Sequence, residues 1–156
     1  MAVNVAFDLA RERDVKAGVA EVFGVLSHVP TSASFFPKVD KLVDLGDNTY
    51  RWELQKVGTA QVNIQTVYAA KYRSDARRHS VVWTAVKGQG NAQINGSWTL
   101  TQRKHSTHLL LKVNGEIVVP LPALTKLVVA PIVIRENEKL VDQYMDNLAR
   151  RFGGAV

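Results

Sequence analysis

Val3, Val5, Phe7 and Leu9 alternate with Asn4, Ala6, Asp8 and Ala10, the period of two that a half-buried strand requires. The spacing then changes. Val19, Val22, Phe23 and Leu26 form a helical stripe, which predicts a short helix over about 17–27. The segment 30–37 is bracketed by Pro30 and Pro37 and predicts one or two further helical turns, with Pro30 tolerated at the first position. From Lys38 onward the period returns to two for about 80 residues. Strands are predicted at 39–45, at Tyr50, Trp52 and Leu54, at Val62, Ile64, Thr66 and Tyr68, at 81–86, at Ile94, Gly96, Trp98 and Leu100, and at 109–119. Turns fall at 46–48, 74–78, 87–91 and 103–106, where Gly, Asn, Asp and Ser collect. Counting the first, this makes seven strands, and the short turns make neighbours antiparallel with one apolar face.

The last segment is helical. From Pro122 to Phe152 there is no glycine, late arginines suit a helix C-terminus, and Gly153 and Gly154 stop it. Pro131 should kink it. At 100° per residue Leu127, Ala130, Ile134, Val141, Met145, Leu148 and Phe152 share one face, with Leu140 and Tyr144 at its edge and Asn137 and Glu138 inside the arc. The order predicts an α+β fold: a curved antiparallel sheet of about seven strands wrapped on a long C-terminal helix, with two short helices after the first strand. Small residues on the inner face, Gly96, Ala85 and Gly115, are expected to widen a hollow between sheet and helix. No repeat, linker or low-complexity tract interrupts the chain, so 1–156 reads as a single domain.

The motifs that carry a family likeness are VAEVFGVLSHVP at 19–30, FFPKV at 35–39, LGDNTYRW at 45–52, NGSWTL at 95–100 and VDQYMDNLARRF at 141–152. With them the chain resembles the START-like, Bet v 1-like superfamily of helix-grip proteins, including bacterial polyketide cyclase/dehydrase and lipid-transport members. One departure is Ala17-Gly18, where many relatives place a capping Ser or Asp ahead of the first helix. The resemblance implies an apolar cavity between sheet and helix that holds a lipid, sterol, quinone or polyketide-like molecule. Alternation independently turns Tyr50, Trp52, Leu54, Ile64, Thr66, Tyr68, Trp83, Trp98, Leu109, Leu111 and Val113 inward, an apolar and aromatic lining of the kind ligand pockets use. Ile134, Asn137, Glu138 and Val141 face them from the helix. Plain core packing is the competing account of each single position.

Composition removes much catalytic chemistry. The 156 residues contain no cysteine, which excludes disulfides, thiolate metal sites and a cysteine nucleophile. His28, His79, His105 and His108 form no metal-binding motif, and there is no Gly-x-Ser-x-Gly elbow. No metal or cofactor is expected. Glu138 is the one candidate acid or base. Turned into the apolar arc it would need a partner such as Asn137, Tyr68 or Tyr144; turned outward, the orientation the sequence favours, it would sit beside Arg135 or Lys139. Tyr50, Thr66 and Tyr68 can fix a ligand's polar end.

Twenty Lys plus Arg against 14 Asp plus Glu give a charge of +6. The basic residues cluster at Lys71, Arg73, Arg77 and Arg78, at Arg103 and Lys104, and at Arg150 and Arg151, all turns or termini, where solvated charge is the simplest account. Nucleic acid is therefore not the expected partner. No secretory signal is visible at the start and no apolar run is long and clean enough to span a bilayer. The expected setting is cytoplasmic, with transient contact to a membrane surface. The proline-interrupted apolar stretch 118–134 is the candidate gate or membrane-docking edge. The function expected is binding or transport of a hydrophobic small molecule. A cyclase, aromatase or dehydratase using Glu138 and the tyrosines is the alternative, and the resemblance also admits a module that binds RNA, the ribosome or a protein.

Overall fold

A computed structural model of the chain describes residues 3–58 and 63–154. Strand β1 (Val3–Val15) is followed by helices α1 (Val19–Leu26) and α2 (Val29–Ala33). Eight strands come next: β2 (Val39–Gly46), β3 (Thr49–Leu54), β4 (Val57–Gly58), β5 (Asn63–Ile64), β6 (Val67–Asp75), β7 (Ser80–Val86), β8 (Ala92–Gln102) and β9 (Thr107–Val119). A 3₁₀ turn, Ala123–Thr125, leads into the 26-residue helix α3 (Lys126–Arg151). The main sheet is antiparallel and seven-stranded, in the order β1-β9-β8-β7-β6-β3-β2, and it curves around α3; β4 and β5 pair only with each other. This is the helix-grip α+β architecture expected from the sequence.

The differences have local causes. The strand predicted through 61–68 is divided: Gln61 and Val62 lie outside the described residues, Asn63–Ile64 pairs with Val57–Gly58, and the main strand begins at Val67 and runs to Asp75. The turn moves beyond Asp75, whose Oδ1 accepts the amides of Arg77 (3.0 Å) and Arg78 (3.2 Å), an Asx turn. The β2–β3 turn behaves as its residues require, with Asp47 and Asn48 both at positive φ (52° and 57°). The glycine ahead of α1 offers no side-chain cap. Instead Gln102 Oε1, from the end of β8, accepts the Val19 amide at 2.9 Å. Pro131 lies inside α3 on its solvent side, so the backbone bond it removes is one that water can replace.

β1 is longer than its apolar alternation. Beyond Leu9 the inward positions pass to Arg11 and Arg13, and the strand still pairs with β9 from Val3↔Val119 to Val15↔Thr107. Arg11 Nε meets Asp142 Oδ1 at 2.7 Å, Arg11 Nη2 meets Glu138 Oε2 at 3.3 Å, and Arg13 Nη2 meets Asp146 Oδ1 at 3.3 Å. The three acids are spaced by four on α3, one helical stripe. Two inward arginines on the edge strand thus meet the flank of the helix where the apolar interior ends.

On the outer face, His108 Nδ1 lies 2.7 Å from Asp14 Oδ1 and Nε2 lies 3.0 Å from Glu12 Oε1. The hydrogen bond to Asp14 contributes most to raising the imidazole above its ordinary pKa, Glu12 adds to it, and partial burial opposes both. A folded-state pKa above the unfolded value stabilises the protein fully below the unfolded pKa, about 6.5, and the contribution is lost as pH rises through the folded value. The stability advantage of wild type over His108→Gln is therefore expected to be largest near pH 6 and to shrink towards pH 8 and above. Thermal midpoints of the two proteins across that range check it, and an advantage that is flat with pH would show that the ring is not held as imidazolium.

Candidate functional site

Between the concave face and α3 lies a cavity of about 80 Å³. Phe7 and Leu9 of β1, Trp52 and Leu54 of β3, Tyr68 and Tyr72 of β6, Trp83 of β7, Ile94 and Trp98 of β8, and Leu111 and Val113 of β9 form the sheet side. Leu26, Val29, Ser32 and Phe36, and Asn137, Val141 and Tyr144 of α3, complete the wall. Alternation explains the sheet side: Tyr68, Tyr72, Trp52 and Trp98 all sit at positions of one parity in a shared register.

The rings order one another. Trp52 stacks on Tyr68 with centroids 5.9 Å apart and planes within 6°. The Trp52 indole N–H donates to the Tyr72 hydroxyl at 2.9 Å, and Tyr72 leans on Trp83 at 5.6 Å. Tyr144 meets Trp98 edge-on at 5.9 Å and Phe36 at 5.2 Å, and its hydroxyl is hydrogen-bonded to Ser32 Oγ. Burial pushes Tyr144 up to about 12, with the Ser32 bond opposing, and raises Tyr68 and Tyr72 well beyond their ordinary range. At neutral pH the three phenols are therefore protonated donors. Tyr68 differs in one respect. As a residue it is nine-tenths buried, and its hydroxyl makes no hydrogen bond to another described residue, while no fully buried side-chain nitrogen or oxygen among them is left unpartnered.

The hollow is narrower than the glycines suggested. Gly96 stands opposite Trp83, and a Cβ built on it would lie 2.3 Å from Trp83 Cζ2 and 2.7 Å from the Lys112 carbonyl. The indole fills the space the glycine leaves. At Gly115 a Cβ would meet the Gln93 carbonyl at 2.3 Å, so the room there is taken by backbone; Ala85 is half-buried. The cavity falls short of the few hundred Å³ of a drug-sized site.

Of the residues singled out in the sequence, Trp52, Leu54, Tyr68, Trp83, Trp98, Leu111, Val113, Asn137 and Val141 meet on this wall. The others lie apart. Tyr50 borders an outer groove with Phe36, Val39 and Leu42 and touches the cavity only through Tyr72, 6.0 Å away. Ile64 and Thr66 line a separate void of about 10 Å³ that shares Leu54 and Asn137 with the cavity. Leu109 is packed in the core, and Ile134 is half-buried against it. Asn137 donates Nδ2 to the Val133 carbonyl at 2.9 Å. Glu138 points away from the apolar arc, towards neither Arg135 nor Lys139 but to Arg11. The acid or base expected from a buried Glu138 is thus not in the cavity, because β1 supplies an arginine that draws it outward. Sequence reasoning missed Tyr72, which the same alternation through Tyr68 and Ala70 would have found in a longer strand. It also missed the Ser32–Tyr144 bond, which joins residues 112 apart.

Residues 6–153 match the family model described as polyketide cyclase/dehydrase and lipid transport. The chain belongs to that family. This polyketide cyclase/dehydrase and lipid transport member has no match among curated proteins, but its fold is shared by solved structures. A START superfamily protein from Mycobacterium smegmatis superposes with a TM-score of 0.71 at 12% identity, covering 94% of this chain and 97% of that one. A conserved protein from Geobacillus kaustophilus gives 0.68 at 14%, covering 94% and 95%. The Zhui aromatase/cyclase from Streptomyces sp. R1128 gives 0.59 at 15%, covering 93% and 90%. At these identities the likeness is one of fold. The family member described here has the ligand-binding scaffold and lines it with aromatic rings.

Proposed function

We propose that the protein binds a small, flat, predominantly apolar molecule bearing a hydrogen-bond acceptor, held between the aromatic wall and α3. The observation that carries this reading is Tyr68, a residue of the cavity wall whose hydroxyl makes no hydrogen bond to another described residue. A phenol on the cavity wall that donates to no described residue can donate to a ligand oxygen. The stacked Trp52–Tyr68 pair offers flat apolar surface beside it. Burying a few hundred Å² of ligand at about 25 cal/mol per Å² contributes several kcal/mol before ordering costs. The rings must shift to admit a guest of that size.

Binding suits these residues better than turnover. Among the described residues the cavity wall holds no carboxylate, imidazole or amine, and its phenols are shifted away from neutrality, whereas a general acid or base works best with a pKa near the operating pH. The name of the Zhui relative supports a cyclase on this scaffold, but Glu138, the residue such a reading would use here, is engaged by Arg11.

Native mass spectrometry with solvent extraction of the purified protein is expected to find a retained hydrophobic molecule. Naphthol is expected to bind more tightly than naphthalene, and Tyr68→Phe to weaken naphthol about three- to tenfold, the size of one hydrogen bond, while leaving naphthalene unchanged. Isothermal titration decides it. Equal loss for both probes, or none for either, sinks the role given to Tyr68.

A further inference from the structure

The first half of α3 is apolar on both sides. Val129 and Val133 are buried beneath it, which is ordinary for an amphipathic helix. Its outer side is not ordinary: Leu124, in the 3₁₀ turn that leads into it, is 97% exposed, Leu127 91% and Val128 65%, and Pro131 is exposed with them. These residues are spaced i, i+3, i+4 and i+7, one continuous stripe. Beyond it α3 becomes conventional, with Arg135, Lys139, Asp142 and Asp146 towards solvent or the β1 arginines. From Ile117 to Arg135 the chain carries no acidic residue, and its two charges are Lys126, between the first two leucines of the stripe, and Arg135, one turn beyond it.

We propose that this stripe docks into the surface of an anionic lipid bilayer, with Leu124, Leu127 and Val128 below the headgroups and Lys126 and Arg135 among them. Apolar side chains flanked by lysine and arginine are what an interfacial helix presents, and basic residues there gain from anionic lipid. No helix among the described residues is long and apolar enough to cross the membrane, so the contact is peripheral. A second copy of the chain is a poorer occupant, because four side chains cannot supply the roughly 800 Å² per partner of a standard interface. The small void shared with the cavity through Leu54 and Asn137 also borders Val133 and Glu136, one to two turns along the same helix. Docking would bring that route to the bilayer, so that an apolar ligand need not cross water; this last step rests on the cavity reading above.

Flotation of the full chain with vesicles tests the docking without any ligand. Binding is expected to vesicles of phosphatidylcholine with phosphatidylglycerol and to be far weaker to phosphatidylcholine alone. Leu124→Ser and Leu127→Ser are each expected to reduce binding about tenfold, and the pair on the order of a hundredfold. Lys126→Gln is expected to reduce it about fivefold, only with the anionic lipid. Arg77→Gln with Arg78→Gln, on the β6–β7 turn, should change nothing. The proposal is overturned by absence of binding to the mixed vesicles, by a Leu124→Ser/Leu127→Ser protein that floats like wild type, or by loss confined to the Arg77 and Arg78 variant. Sedimentation showing a dimer that the leucine variants dissolve would give the stripe to a second copy and overturn it too. Naphthol titration of the same variants separates the two readings: retained naphthol binding without flotation leaves the cavity standing and removes the docking, and flotation without naphthol binding does the reverse.

Discussion

Replacing Phe152 with alanine is expected to cost about 3–5 kcal/mol, the usual range for a buried phenylalanine. The ring is 1% exposed and sits where α3 ends, so it fixes the helix to the sheet by packing and by backbone together. The Phe152 carbonyl accepts the Ala17 amide at 3.0 Å, and its own amide reaches Leu148 and Ala149. After it Gly153 and Gly154 adopt positive φ, and the Gly154 amide returns to the Ala149 carbonyl at 2.7 Å, a Schellman close. Alanine would keep that backbone and lose the plug. Against a total stability of about 5–15 kcal/mol, such a loss leaves the protein marginal. In urea the midpoint should fall by about 2 M with the slope unchanged. Gly153→Ala, which strains the turn and spares the ring, is expected to cost about 1 kcal/mol. A Phe152→Ala loss no larger than that would mean the helix end is held by its backbone alone.

The residues that were legible in the sequence are those whose role is set by their own neighbours. Alternation placed Trp52, Tyr68, Trp83 and Trp98 on one face because a strand has a strict period of two, and the final stripe marked a helix because apolar residues recur every three or four, although Leu127, expected on its apolar face, is 91% exposed. Where a role depends on a distant partner, the pattern misled. Arg11 and Arg13 ended the visible alternation of β1, yet the strand continues because Asp142 and Asp146 wait on α3. Glu138 turns outward, the orientation the sequence favours, but its partner is the distant Arg11 rather than Arg135 or Lys139. Gly96 suggested empty space, but what fills it is the side chain of Trp83 on the next strand. The three basic clusters fall in the sequence at two turns and a terminus. The sheet order instead brings the β6–β7 turn, the β8–β9 turn and the end of α3 to one end of the molecule, since Ser80 pairs with Thr99, Gln102 with Thr107, and Ala17 with Phe152.

Trp98→Ala is expected to be as costly, about 3–5 kcal/mol, but its loss should be recoverable by a small molecule. Trp98 is 2% exposed, stands between Val81 and Leu111 on the neighbouring strands, and meets Tyr144 edge-on. Removing it opens an apolar space continuous with the present cavity, and apolar spaces of that kind stay dry and accept apolar guests. Indole added at about a hundred times its dissociation constant should restore about 2.7 kcal/mol to the variant. Wild type, whose own indole occupies the position, should gain far less from the same addition. Thermal midpoints with and without indole measure both. If the variant gains no more than wild type, the wall has collapsed into the gap, and Trp98 does not bound the ligand space. If it gains as expected, the size of molecule the protein admits is set by these rings rather than by the span between sheet and helix, and Trp98→Ala should also take guests larger than wild type accepts.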